Sequence, residues 1–200
     1  IRDRPSRKIP PGSVLTIDDQ VSVHVQDDLG DGRRIVEVEA PDGVVDTLER
    51  YGQMPLPPYL SATLDDPEQY QTVYSRRAAS AAAPTAGLHF TDEVLERCRA
   101  AGARIEKLEL VVGLDTFRPV VVEDLDQHQM HSEAYTVPET TLNACADAKR
   151  VVAVGTTTTR ALEAAVRTGP SGRTDLFIRR PFDFRVVDLL LTNFHLPRTT

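Results

Sequence analysis

The sequence predicts an α/β protein: a mostly parallel strand–helix domain, able to close in a barrel-like way, joined to a small antiparallel β module. Three observations carry this. Near the start, short stretches place apolar residues at every second position, as Val21, Val23 and Val25 do. Beyond Leu60, apolar strand-like runs alternate with segments whose apolar residues recur every three or four positions, as expected when helices connect parallel strands. Between the two, Met54-Pro55-Leu56-Pro57-Pro58-Tyr59 is stiff, because closely spaced prolines break both helix and ladder. The expected division is a β-rich, barrel-like module over residues 1–53, a linker over 54–60 and an α/β domain over 61–200.

The elements follow in order. Residues 13–17, 21–25 and 34–39 alternate as strands, with turn signals at Leu29-Gly30-Asp31-Gly32 and Pro41-Asp42-Gly43. His24 falls on the outer face of the second strand and is expected to meet solvent. A helix over 91–101 starts at Thr91, a good cap with Asp92 and Glu93 behind it, and Gly102 stops it. Leu108, Leu110 and Val112 alternate in a strand that runs into Gly113. A helix is expected over 138–149, a short apolar strand over 150–154, and a second helix over 157–167 closed by Gly169. Residues 176–178 and 185–191 supply two further apolar runs.

Bulk properties narrow the function. A net charge of −7 argues against a generally basic nucleic-acid surface while leaving room for a local basic patch. The densest such stretch gathers Arg179, Arg180, Arg185 and Arg198. Cys98 and Cys145 are far apart without a CxxC motif, which fits free thiols in a reducing compartment. No apolar run approaches the length of a membrane span and no signal-peptide pattern is visible. Position 1 is Ile and both ends look cut, so the chain reads as part of a larger protein.

Five stretches could carry chemistry. In Ala83-Pro84-Thr85-Ala86-Gly87-Leu88-His89-Phe90-Thr91, a rigid turn and a flexible Gly87 could aim Thr85, His89 and backbone N–H groups at one point. Gly113, Thr116 and Arg118 sit at a strand exit, where Arg118 is either a loop anchor or a phosphate contact. His131 and Glu133 are two residues apart, so an extended strand puts both on one face, an imidazole beside a carboxylate. His128 adds a third metal-type side chain, but nothing else in the chain completes a ligand cluster and no metal is expected. Gly155-Thr156-Thr157 opens a helix, read from the residues alone either as simple Thr capping or as free N–H groups that suit an anion, with Arg160 one turn on to pair with it. It lacks the lysine of a P-loop and the three glycines of a dinucleotide site. Asn193 and His195 follow an apolar run, at the end of a strand where α/β proteins place ligands, or else bond loop backbone.

These motifs, in this order and spacing, resemble the S-adenosylmethionine:tRNA ribosyltransferase-isomerase family of queuosine biosynthesis, from Arg50-Tyr51-Gly52 to the last residue. The resemblance implies transfer and isomerisation of the ribosyl part of S-adenosylmethionine onto 7-aminomethyl-7-deazaguanine in tRNA, giving epoxyqueuosine-tRNA and releasing adenine and methionine. S-adenosylmethionine is then a consumed co-substrate and no cofactor is needed; a cytoplasmic monomer is expected. His131, Glu133 and then His89 are the proton-transfer candidates. Thr85, Gly87, Gly113, Thr116, Arg118, Gly155, Thr156, Thr157, Arg160, Asn193 and His195 are the substrate-binding ones. The family pattern has a His where Val111 stands, a Gly at Asp115, and Tyr-Pro-Gly-Tyr in place of Arg179-Arg180-Pro181-Phe182. A divergent homologue that binds a nucleoside or RNA without this catalysis, or a transferase for another small substrate, is the alternative.

Overall fold

Alternation at Val21, Val23 and Val25 does produce a strand, and the partners show why. A computed structural model describes residues 9–30, 33–52, 56, 66–113, 116 and 122–195. Strands β1 (Val14–Thr16), β2 (Ser22–Gly30) and β3 (Arg33–Glu39) form an antiparallel meander in that order. Val23 lies opposite both Leu15 and Val38, and Val25 opposite Val36. Gly30 takes a positive φ at the end of β2, where the hairpin signal stands; residues 31 and 32 lie outside the described residues. His24 is partly buried rather than fully solvated, because its Nε2 lies 3.0 Å from the Ser22 hydroxyl and 3.1 Å from Glu39.

The turn at Pro41-Asp42-Gly43 is followed by a helix that the sequence pattern did not show, α1 (Gly43–Tyr51). Asp46 in its first turn and Arg50 in its last complement the helix dipole. The Tyr51 hydroxyl donates to Asp18 Oδ2, and the N–H groups of Gln20 and Val21 donate to Oδ1. That set, led by Tyr51, holds the Asp18 carboxyl below the ordinary carboxylate range.

The chain divides into two compact units, Ile1–Met54 and Pro55–Thr200. In the second, α2 (Asp92–Ala100) begins where Thr91 Oγ1 accepts the Val94 N–H at 3.2 Å, and Gly102 follows it at φ +94°. Strands β4 (Glu109–Val111), β5 (Glu133–Thr136) and β7 (Ser171–Thr174) form an antiparallel sheet in the order β4-β5-β7. Helix α3 (Glu139–Asp147) leads to β6 (Val152–Val154), and α4 (Thr156–Thr168) follows it directly. Strand β6 pairs in parallel with β8 (Leu189–Leu191).

The expectation of a mostly parallel sheet is therefore corrected. Helices do alternate with strands, but α3 connects strands of different sheets, so alternation does not dictate parallel pairing. Parallel pairing among the described residues is confined to β6 and β8, and no sheet there closes into a barrel. The apolar run at 176–178 forms no strand, and that at 185–191 forms one only in its last three residues.

The core of this unit is built around α4. Ala161, Leu162, Ala164 and Ala165 are buried together with Tyr135, Val137, Ala153 and Val187. Full burial of a side chain such as Leu162 or Val137 contributes about 1.5–3 kcal/mol. The Tyr135 hydroxyl lies 2.8 Å from Thr168 Oγ1 and donates to the Gly169 carbonyl at 2.9 Å, which pins the C-terminal end of α4 to β5.

Candidate functional site

His131 stands just before β5 and Glu133 is its first residue, so extended backbone carries both side chains to one face, as the spacing predicts. His131 Nε2 lies 3.2 Å from Glu133 Oε1, and Gly113 N donates to the same oxygen at 3.3 Å. Arg160, reaching in from α4, completes the cluster. Its Nη1 donates to Glu133 Oε2 at 2.7 Å and lies 3.3 Å from His131 Nε2. Its Nη2 donates to the carbonyls of His131 at 2.5 Å and Thr174 at 2.9 Å. One guanidinium thus joins α4, the approach to β5 and the end of β7.

Burial sets the electrostatics. The Glu133 side chain is 2% exposed and that of Arg160 7%, whereas His131 retains 14%. Desolvation pushes Arg160 below its ordinary range, against the opposing pull of Glu133 and Asp175, yet a guanidinium keeps its proton at any accessible pH. A buried carboxylate held by a guanidinium and a backbone N–H is an arrangement that can orient an imidazole for proton transfer.

A second group of candidates gathers where β6 meets α4. Gly155 is buried at φ +96°, a conformation suited to glycine, and its N–H donates to the Leu191 carbonyl at 2.8 Å. That bond brings the start of α4, with Thr156 and Thr157, beside the end of β8. No side chain caps this helix start, and Thr158 Oγ1 donates backwards to the Val154 carbonyl at 2.7 Å. Asn193, two residues past β8, accepts from Phe194 N through its own Oδ1, a local turn contact, and His195 is exposed.

The remaining candidates make no side-chain hydrogen bond or ion pair to the His131–Glu133–Arg160 cluster among the described residues. Thr85 and Gly87 belong to a 3-10 turn, Thr85–His89. A Cβ on Gly87 would stand 2.0 Å from the Tyr74 hydroxyl and 3.0 Å from Thr72 Cγ2, so close packing requires glycine here. His89 is exposed, and no hydrogen bond or ion pair joins it to His131 or Glu133 among the described residues. Thr116 N donates to the Gly113 carbonyl at 3.3 Å; Arg118 lies outside the described residues.

Residues 2–200 match the family described as Queuosine biosynthesis protein. The chain belongs to this family. Among curated members, the S-adenosylmethionine:tRNA ribosyltransferase-isomerase of Azoarcus sp. (strain BH72) is 51% identical over 98% of this chain and 60% of its own length. That of Rubrobacter xylanophilus is 50% identical over 98% of this chain and 58% of its own, and that of Staphylococcus saprophyticus 45% over 98% and 61%. The chain therefore spans about three fifths of the length of the queuosine biosynthesis proteins it matches. Of the departures noted in its motifs, Val111 sits in β4 opposite Ala134, two residues from the Glu133 donor Gly113, and Asp115 lies outside the described residues. Arg179 forms an ion pair with Asp126, while Arg180 is exposed.

Two residues of consequence escaped the motif search. Tyr74 fills the space against Gly87. Glu163, fully buried on α4, accepts at Oε1 from the N–H groups of Val186 and Val187, both at 3.0 Å, and at Oε2 from Arg185 N at 3.0 Å and Arg167 at 2.5 Å. Desolvation alone would raise its carboxyl, but these donors outweigh it and leave Glu163 below the ordinary range. Its only sequence signal was an acid four residues before an arginine, which reads as a solvated helix pair.

Proposed function

We propose that the full-length protein transfers the ribosyl moiety of S-adenosylmethionine to 7-aminomethyl-7-deazaguanine in tRNA and isomerises it, giving epoxyqueuosine-tRNA. The relatives that cover almost the whole chain carry the name S-adenosylmethionine:tRNA ribosyltransferase-isomerase, which supports this reading. The observation in the molecule that carries it is the His131–Glu133–Arg160 cluster. A reaction of this kind needs a base to remove a proton acidified by the neighbouring sulfonium and an acid for departing adenine. An imidazole with 14% exposure beside a buried carboxylate suits that work.

The free N–H groups at the start of α4, with Thr156 and Thr157, suit the carboxylate of methionine or a tRNA phosphate, and lie beside the end of β8, from which the chain runs on to Asn193 and His195. Arg160 is better fitted to hold Glu133 than to meet that anion, since both its Nη atoms are bonded inward. Thr85, Gly87, Gly113, Thr116 and Arg118 stand as further substrate-binding candidates, and His89 as a further proton-transfer candidate. S-adenosylmethionine is the consumed co-substrate and tRNA the macromolecular partner, handled by a cytoplasmic monomer without metal or resident cofactor. No helix among the described residues is long and apolar enough to cross a membrane.

The test is mass spectrometry of tRNA carrying the deazaguanine after incubation with S-adenosylmethionine and the full-length protein. Epoxyqueuosine at the modified position, with adenine and methionine released, is the expected result. Intact S-adenosylmethionine and unchanged tRNA would overturn the proposal.

A further inference from the structure

We propose that Arg173 is a positioning residue: from β7 its guanidinium holds the chain at Ser132, between His131 and Glu133, and so sets where the imidazole stands. The role deepens, and rests on, the ribosyl-transfer reading; the hold itself stands on geometry.

The segment needs a hold from outside the ladder. Pairing between β5 and β7 starts at Glu133, opposite Thr174, so His131 and Ser132 lie beyond its last pair. The His131 ring has a single hydrogen bond among the described residues, from Arg160 Nη1 to Nε2 at 3.3 Å. Its place is therefore set chiefly by the main chain that carries it. Two guanidiniums take over where the ladder stops. Arg160 Nη2 donates to the His131 carbonyl at 2.5 Å and to that of Thr174 at 2.9 Å. Arg173 Nη2 donates to the next carbonyl along, that of Ser132, at 2.5 Å, and its Nε donates to Ser132 Oγ at 3.2 Å.

The two grips come from opposite faces of the sheet. Arg160 reaches the face that carries the Glu133 side chain. Arg173 stands opposite Ala134, one position along β5, so its side chain leaves on the other face, where Ser132 is its diagonal neighbour. It binds both the hydroxyl and the carbonyl of one residue, so the planar guanidinium fixes the orientation of the Ser132 peptide as well as its distance. Arg173 is exposed, so its loss uncovers little buried surface, and its effect belongs to the site rather than to overall stability. A displacement of about 1 Å at a reacting group is enough to lower turnover 10²-fold.

The experiment uses the full-length protein with Arg173→Met, which keeps an apolar stem without the donors, and Arg173→Lys, which restores one donor. Histidine labelled with 13C at Cε1 gives one ring signal per histidine, and loss in His131→Gln assigns that of His131. In Arg173→Met the His131 signal should shift while those of His24 and His89 stay in place. Turnover should fall about 10–10²-fold with little change in KM for S-adenosylmethionine. Tm should stay within about 2 °C of the wild type. Arg173→Lys should recover part of the turnover and part of the signal position. An unmoved His131 signal in Arg173→Met overturns the proposal, as does unchanged turnover of an active enzyme. A failure of Arg173→Met to fold, or a fall in Tm that accounts for the lost turnover, assigns Arg173 to stability and overturns it too. The spectrum needs no catalysis, so an absence of ribosyl transfer in the wild type leaves the positioning result standing, and an unmoved signal leaves ribosyl transfer untouched.

Discussion

Glu163 offers the sharpest test of how the second unit holds together. In Glu163→Gln, Oε1 can stay on the N–H groups of Val186 and Val187, while the new NH2 faces the Arg167 guanidinium, donor against donor. The bond to charged Arg167 is lost, about 1.5–3 kcal/mol, and the Arg185 N–H loses its 3.0 Å bond to Oε2 while keeping Oε1 at 3.2 Å. Arg167 keeps the carbonyls of Glu163 and Asp183, which limits the loss, so about 2 kcal/mol is expected. Glu163→Ala removes every acceptor and leaves the N–H groups of 185–187 without one, and should cost about 3–5 kcal/mol, the range for breaking a buried charge pair. Urea denaturation followed by circular dichroism reads the global loss, and amide hydrogen exchange at Arg185, Val186 and Val187 reads the local one. The folded carboxyl lies below its unfolded value of about 4.3, so its contribution is fully present above that pH. It is lost as pH falls through the folded value, and the acid limb of stability should be shallower in Glu163→Gln. Exchange at 185–187 unchanged in Glu163→Ala, with a loss under about 0.5 kcal/mol, would refute the reasoning.

Gly87→Ala puts a Cβ 2.0 Å from the Tyr74 hydroxyl and should cost about 1–3 kcal/mol of overpacking, read as a lowered Tm. Adding Tyr74→Phe removes that oxygen and should restore part of the loss, though the ring carbon at 3.0 Å keeps the rescue incomplete. On the RNA side, the ion pair with Asp126 leaves Arg180 the freer of the two neighbouring arginines. Arg180→Ala should flatten the log–log salt dependence of tRNA binding by about one unit. Asp126→Ala, by releasing Arg179, should strengthen binding at low salt; an unchanged affinity and slope for both variants would place the RNA surface elsewhere.

What could be read in advance was whatever a local period or cap determines. Val21, Val23 and Val25 announced β2, Thr91 announced α2, and two residues of separation put His131 and Glu133 on one face. Strands β5 and β7 were not legible, because Glu133-Ala134-Tyr135-Thr136 and Ser171-Gly172-Arg173-Thr174 show little apolar alternation. They are held by partners, including an arginine that bonds to the carbonyls of His131, just before β5, and Thr174, at the end of β7. By sequence Arg160 suits an anion at the helix start, because a cation one turn into a Thr-rich helix start gives no sign of the carboxylate 27 residues earlier that meets it. Glu163 was hidden for the same reason.

The two belong together. Between and beside them α4 presents Ala161, Ala164 and Ala165, whose single methyl groups allow close approach but bury little area, at about 0.8 kcal/mol per carbon. Small smooth surfaces of this kind tolerate sliding. Directional bonds do not: Arg160 fixes α4 against β5 and β7, and three positions on, Glu163 fixes it against the segment entering β8. Helix α4 is thus registered on both sheets by buried charge while its alanines supply proximity, and the residues that place His131 are part of that same registration.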